Sequence, residues 1–339
     1  MSTNASELLV LGAGAIGLYL GGRLAHSGVK VHFVGRPPVI EALSNSGLRC
    51  IDLQGQAHHV PPAALSLSTD VPAEINPALT LLTVKGPQTS AASRQLATAL
   101  TAGSVVLSMQ NGVDNLRRLQ EAAPRLNSLA GMVPFNVVQS APGEVRQTSD
   151  GKLAAQRHPV TREWQARFAE AGLDLKLHSD MRSVQWAKLI LNLNNPVNAL
   201  SGLPLRQQLL DSRYRRLLSD LQFEALAVIQ QAKIPLARVT PLPTAWIPHL
   251  LRLPTPVFRL LASAMLRIKA DARSSMYDDR RSGRSTEISD LCGAVVRLAQ
   301  QHGQSAPLNE AMVRLIETMP QGEYLGPDQL AAALHSRSR

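Results

Sequence analysis

Two stretches of this 339-residue chain carry side chains whose types and spacing could do chemistry. In the first, Ser183 to Pro196, the residues Lys188, Asn192 and Asn195 fall within an arc of about 60° on a continuous helix. Leu189, Ile190, Leu191 and Leu193 occupy the rest of the circumference, so the helix reads as buried. Its polar stripe must then line a cavity or an interface, because buried amide and ammonium groups need partners. Pro196 cannot donate to the carbonyl of Asn192, which predicts a kink beside the stripe. Desolvation there lowers a lysine pKa from about 10.4 towards neutrality, where the amine can protonate an oxyanion as a ketone is reduced. A lysine whose stem lies on the surface and whose head reaches water fits the same spacing. The second stretch, Arg273 to Ile288, holds the pair Ser274-Ser275, a charged loop, and Thr286-Glu287 at the expected start of an apolar helix. A carboxylate in a first helical turn also complements the helix dipole without any chemical role.

The elements that must serve these groups start at the N-terminus. Leu8 to Leu11 reads as a strand buried on both faces, and it runs through Gly12-x-Gly14-x-x-Gly17 into a helix. Gly12 makes the tight turn, Gly14 admits the backbone to a pyrophosphate, and Gly17 lets helix and strand pack closely. The first helical N–H groups, at Ala15 and Ile16, face the phosphates with a partial positive charge. Gly28 falls where that helix should be capped, and Val29 to Val34 reads as the next strand. It ends at Gly35-Arg36, where a chain preferring NAD places an acid for the ribose hydroxyls. A guanidinium suits a 2′-phosphate instead, so Arg36 points to NADP(H), with a solvated loop arginine as the plainer reading. Leu79 to Val84 and Ser104 to Met109 are further strand candidates, closed by Lys85-Gly86-Pro87 and Gln110-Asn111-Gly112. Lys85 and Asn111 thus stand at carboxyl ends of parallel strands, where ligands bind in an open α/β sheet. Leu129 to Val138 and Gly143 to Gln147 are expected to complete the sheet, with a hairpin turn at Asp150-Gly151. His58 and His59 are expected to face opposite ways on a strand, as two surface histidines. From Val184 onward the pattern is helical, interrupted by loops or short helices at Gly202-Leu203-Pro204 and between Pro241 and Pro256.

Composition bounds the function class. The net charge is +10, but the cations are scattered and aromatics make up only 4%, a poor surface for stacking nucleic-acid bases. A polyanionic cofactor and an anionic substrate account for a positive field through steering. The two cysteines, Cys50 and Cys292, lie far apart with no ligand-spaced neighbour, so neither a disulfide framework nor a metal site is expected. No apolar run is long enough for a membrane span and no signal peptide is recognised, so the expected compartment is the cytoplasm, with neither nucleic acid nor membrane as partner.

Taken together, the glycine motif, Val34-Gly35-Arg36, Val84-Lys85, Gln110-Asn111-Gly112, Trp186-x-Lys188 with Asn192, Ser274-Ser275-Met276 and Thr286-Glu287-Ile288 resemble the ketopantoate reductase family. They follow the family's order over nearly the whole chain. The resemblance implies an α/β N-terminal Rossmann-type doubly wound sheet over residues 6–179. It further implies an all-α C-terminal domain over 180–332, like that of 6-phosphogluconate dehydrogenase, and a frayed tail at 333–339. It implies NADPH-dependent reduction of 2-dehydropantoate (ketopantoate) to (R)-pantoate, on the way to pantothenate and coenzyme A, in a cleft between the two domains. Carried over by position, Lys188 is the general acid; Glu287 binds the substrate's terminal hydroxyl and orients Lys188. Ser275 holds the carboxylate, Asn192 and Asn195 the substrate's polar groups; Asn111 lies between cofactor and substrate, and Lys85 beside the phosphates. Two positions depart from the family pattern. Ala272 stands where an asparagine is frequent, and the asparagine-proline pair comes one residue nearer the lysine, so Asn194 competes with Asn195. The segment Pro241 to Ala270 is long for the family. A reductase of another 2-oxo acid, or a non-catalytic NADP(H)-sensing module, remains the alternative, and a homodimer is left open.

Overall fold

The computed structural model describes residues 7–336 apart from 74, 264, 265 and 267–270. It divides into two compact units, Met1–Met181 and Arg182–Arg339.

In the first unit, β1 (Leu8–Leu11) is apolar at every position because both of its faces are covered. Leu8 and Val10 join one core with Leu18, Leu24 and Phe33, whereas Leu9 and Leu11 join another with Leu96 and Leu119. The chain continues through α1 (Ala15–His26), β2 (Val31–Val34), α2 (Pro37–Ser46), β3 (Leu48–Ile51), β4 (Ala57–Val60), β5 (Ser66–Ser68) and β6 (Leu79–Leu82). It goes on with α3 (Thr89–Ala99), β7 (Val105–Ser108), α4 (Asn115–Ala122), β8 (Asn127–Met132), β9 (Val137–Ala141), β10 (Glu144–Gln147), β11 (Leu153–Gln156), α5 (Pro159–Glu170) and β12 (Leu175–His178). Eight strands form one sheet in the order β12-β11-β8-β7-β6-β1-β2-β5. From β8 to β5 every pairing is parallel, and β11 meets β8 antiparallel. The strand order reverses between β1 and β6, the switch point at which a doubly wound sheet opens a crevice beyond its carboxyl ends.

Several expectations need correction here. β9 and β10 do not extend the large sheet; they pair with each other and, through β10, with β3 in a separate sheet of order β4-β3-β10-β9. Asp150-Gly151 therefore joins strands of different sheets rather than closing a hairpin, with Gly151 at φ +149°. Alternation along β4 holds, yet of the two histidines only His59 is exposed. His58 is buried, and its Nε2 lies 3.0 Å from Asp52, which also accepts from the Gln56 N–H and has the buried Arg23 as its other charged neighbour. A histidine beside apolar residues gives no sign in sequence of a carboxylate six residues upstream that returns to meet it.

The second unit is helical throughout its described residues: α6 (Met181–Asn192), α7 (Asn194–Ser201), α8 (Leu205–Leu210), α9 (Ser212–Gln231), α10 (Ile247–Leu251), α11 (Thr255–Leu261), α12 (Ser275–Arg281), α13 (Cys292–Gln301), α14 (Pro307–Thr318) and α15 (Pro327–His335). The long α9 is its axis, with Leu217, Leu218, Leu221, Ala225 and Val228 all buried. Arg215 on α9 is fully buried and saturated: its guanidinium donates to the carbonyls of Leu209, Leu251 and Leu253 and to the Thr255 hydroxyl, and lies 4.3 Å from the centre of the Phe258 ring. That single side chain fastens the turn between α10 and α11 to the axis. The tail expected from residue 333 starts later, because α15 runs to His335 and buries Leu334; residues 337–339 lie outside the described set.

Candidate active site

In the first unit Gly12 and Gly17 have the structural roles their spacing suggests, and Gly14 leaves open space. Gly12 adopts φ +112°, and a Cβ there would stand 2.6 Å from the Val84 nitrogen. A Cβ on Gly17 would stand 2.2 Å from the Gly12 carbonyl oxygen, so only glycine allows α1 to approach β1 this closely. Gly14 is different: a Cβ would meet nothing within 4 Å, which leaves its surroundings open to a ligand. Gly14 is also the N-cap of α1, making Ala15 and Ile16 the first helical residues, whose N–H groups have no partner within the helix. These features fit a dinucleotide pyrophosphate.

Three more candidates gather at the same edge of the sheet. Arg36 is exposed just past β2, as the N-cap of α2. Lys85 follows β6 and Asn111 follows β7, both half-buried. A buried polar chain fixes the loops that carry Lys85 and Asn111. The Gln110 amide donates to the Val84 carbonyl (2.8 Å) and to the Thr89 hydroxyl (2.7 Å), and its oxygen accepts from Ser108. Thr89 in turn donates to Asn115, whose amide donates to the Asn111 carbonyl at 2.5 Å. Thr83 adds a hydroxyl bonded to the Gly12 carbonyl at 2.8 Å. Sequence reasoning missed Thr83, Thr89 and Asn115, since their roles depend on partners far away along the chain.

In the second unit the helix is interrupted at Leu193, where a kink is expected. α6 ends at Asn192 and α7 starts at Asn194, four and two residues ahead of Pro196, which has no N–H to continue the ladder. The released Ile190 carbonyl accepts from the Gln222 amide of α9 at 2.9 Å. Lys188 and Asn192 keep their one-turn spacing on α6, and Asn195 lies on the next helix, past the interruption at Leu193. Asn194 is committed elsewhere, its oxygen accepting from Gln208 at 2.7 Å. Asn195 is half-buried, and its carbonyl accepts from the Ser274 hydroxyl at 3.1 Å.

Ser274 and Ser275 divide their tasks. Ser274 is buried and caps α12, accepting from the Tyr277 N–H, while its own N–H donates to Asn198 at 2.9 Å. Ser275, the first residue of α12, is exposed. Asn198, fully buried on α7, also donates to the Leu203 carbonyl and to Gln208, tying α7 to both α8 and α12. The sequence pattern gave no hint of its part. Glu287 does not start a helix, contrary to expectation. It is the N-cap of a 3₁₀ turn, Ile288–Asp290, and α13 begins five residues after it, so it lies outside the first turn of an α-helix. It is half-buried.

Lys188 carries the clearest electrostatic signature. It sits half-buried between the buried Trp186, Ala187, Leu189 and Ile190, and desolvation of its ammonium lowers the pKa from 10.5 to about 8. That places a proton donor near neutral pH on a rigid helix. No group of histidines, cysteines and acids able to hold a metal occurs among the described residues.

Comparison with known proteins decides the family. A family model described as ketopantoate reductase PanE/ApbA matches residues 8–159, and one for its C-terminal part matches residues 180–319. The chain belongs to the ketopantoate reductase family. It is an oxidoreductase acting on CH–OH groups, and its cofactor is a nicotinamide dinucleotide. Among curated relatives, the 2-dehydropantoate 2-reductases of Pyrococcus abyssi and Mesorhizobium japonicum are 26% and 27% identical. Each alignment covers 92% of this chain and 97% of the relative. The crystal structure of a PanE/ApbA family ketopantoate reductase from Ralstonia eutropha superposes with a TM-score of 0.77 at 28% identity, over 91% of this chain and 97% of that one. A D-mandelate dehydrogenase with NADH and anilino(oxo)acetate reaches the same TM-score at 18% identity, a likeness of fold.

Proposed function

We propose that the enzyme reduces ketopantoate to (R)-pantoate with NADPH, in the cytoplasmic route to pantothenate, and that Lys188 is the general acid. The observation that carries this reading is the lysine amine brought to a pKa of about 8 by desolvation, one helical turn from Asn192. When bound, the dihydronicotinamide supplies the hydride. Gly12, Gly14 and Gly17, with the N–H groups of Ala15 and Ile16, hold the pyrophosphate, Lys85 neutralises phosphate charge, and Arg36 pairs with the 2′-phosphate. Lys188 donates a hydrogen bond to the substrate ketone and passes its proton to the oxygen as negative charge develops there. Glu287 takes the substrate's terminal hydroxyl and orients the amine, Ser275 donates to the carboxylate, and Asn192, Asn195 and Asn111 complete the polar contacts. Asn195 is preferred to Asn194 because Gln208 already occupies the Asn194 oxygen. Ala272 stands where the family often carries an asparagine, which keeps a second substrate of this class in view.

The deciding assay follows absorbance at 340 nm with NADPH or NADH against ketopantoate, pyruvate and 2-oxoisovalerate. Selective NADPH consumption with ketopantoate is expected; preference for another branched 2-oxo acid would reassign the substrate, and no oxidation with any would remove the enzymatic reading of the site. Replacing Arg36 with Glu should reverse cofactor preference by about 100-fold or more, mostly through the KM for NADPH, because a carboxylate repels the 2′-phosphate and accepts ribose hydroxyls. An unchanged NADPH/NADH ratio in that variant would take Arg36 out of the cofactor site. The pH dependence has a definite sign. A general acid must be protonated, so kcat/KM for reduction should be level below pH 8 and fall about tenfold per unit above it. A profile flat to pH 10 would exclude the amine as proton donor.

A further inference from the structure

The enzyme has 25 acidic residues in 339, yet none occurs between Glu224 and Asp271. The described part of the same span holds four cations: Lys233, Arg238, Arg252 and Arg259. Exposed apolar side chains collect there as well. Of the large hydrophobic residues exposed among those described, Trp246, Val257, Leu260 and Leu261 all lie in this span, with Trp246 64% and Leu260 76% exposed. On α11 the division between faces is sharp. Phe258 and Ala262 point inward, Phe258 under the Arg215 guanidinium, while Val257, Leu260 and Leu261, at three- and four-residue spacing, share the outward face. This is a fixed surface, because Arg215 holds the carbonyls of Leu251 and Leu253. Lys233, Arg238 and Arg259 are exposed and, among the described residues, have no acidic partner within ion-pair distance.

We propose that this face, centred on Trp246 and the outward side of α11, docks the enzyme onto an anionic lipid surface. Apolar side chains flanked by arginine and lysine, with tryptophan at the boundary, are what an interfacial contact requires: the rings and leucines enter the acyl boundary and the cations meet lipid phosphates. A second copy fits the face poorly. A two-fold contact would set the same cations against one another, with no acid in the span to offset them. No described helix is long and apolar enough to cross a membrane, and a surface contact needs none.

The test uses the full chain with vesicles of phosphatidylcholine alone or with one third phosphatidylglycerol. The chain has three tryptophans, and Trp164 and Trp186 are each only 4% exposed, so a change in emission on binding reports Trp246. Co-sedimentation with the phosphatidylglycerol vesicles alone is expected, with a blue-shifted emission and at least a tenfold loss of binding in high salt. The double substitution Leu260→Ser with Leu261→Ser should abolish both the partition and the blue shift while leaving melting temperature and turnover unchanged. Equal partition onto both vesicles, or none, would overturn the proposal. So would a dimer in sedimentation equilibrium that this double variant dissolves, or binding to polyglutamate as tight as to the vesicles without a blue shift.

Discussion

Replacing Lys188 with Ala should lower kcat by about 10³-fold or more while NADPH still binds. The amine is the one group on α6 able to supply a proton at neutral pH, and its removal leaves the developing alkoxide without a donor. On the proposed reading the cofactor is held by the first unit, so its affinity should be unchanged, read as quenching or enhancement of NADPH fluorescence. Stability separates this role from a structural one. Because burial lowers the lysine pKa, the folded state binds its proton more weakly than the unfolded chain does. Folding therefore carries the full penalty of a desolvated ammonium below pH 8, and that penalty fades between about pH 8 and 10.5. The near-isosteric Lys188→Met should thus be more stable than the parent at pH 7, by about 1–2 kcal/mol once solvent screening is allowed for, with the gain shrinking above pH 8. A variant that is both inactive and less stable at pH 7 would mark Lys188 as a packing residue. A variant with turnover intact would end the acid assignment.

That lysine also shows how far a sequence can be read. Its burial followed from the leucines around it, and the interruption after Asn192 followed from Pro196, because both are local consequences of helix geometry. The assignment of Asn195 to a separate helix did not follow, since the period of one helix does not show where the next begins. Strand existence was likewise legible in the apolar runs of β1, β6 and β7, whereas strand partnership was not: Glu144–Gln147 has the pattern of a sheet strand in either sheet. The polar chain through Gln110, Thr89 and Asn115 was out of reach for the same reason, being made of ordinary residues 21 and 26 positions apart. Glu287 is the converse case. Its type and surroundings suggested the first turn of an α-helix, and the intervening 3₁₀ turn sets it outside one.

The glycine turn is where local pattern and tertiary contact agree, and two alanines should separate its structural from its binding part. Gly17→Ala places a methyl 2.2 Å from the Gly12 carbonyl and 2.5 Å from the Thr83 hydroxyl. The first of these is backbone and cannot rotate away, so α1 must lift from β1. Overpacking at such a site should cost about 3 kcal/mol or more, seen as a lower urea midpoint with or without cofactor. Gly14→Ala meets nothing within 4 Å, and Gly14 has φ −87° and ψ −176°, which alanine adopts without strain. The apo protein should therefore melt within a degree or two of the parent. Its methyl nevertheless projects into the space that a pyrophosphate must enter to reach the first N–H groups of α1, so the Kd for NADPH should rise by at least tenfold. The pairing matters because each substitution controls for the other. If Gly14→Ala binds NADPH as tightly as the parent, the phosphates do not lie against this turn, whatever Gly17→Ala does to the fold.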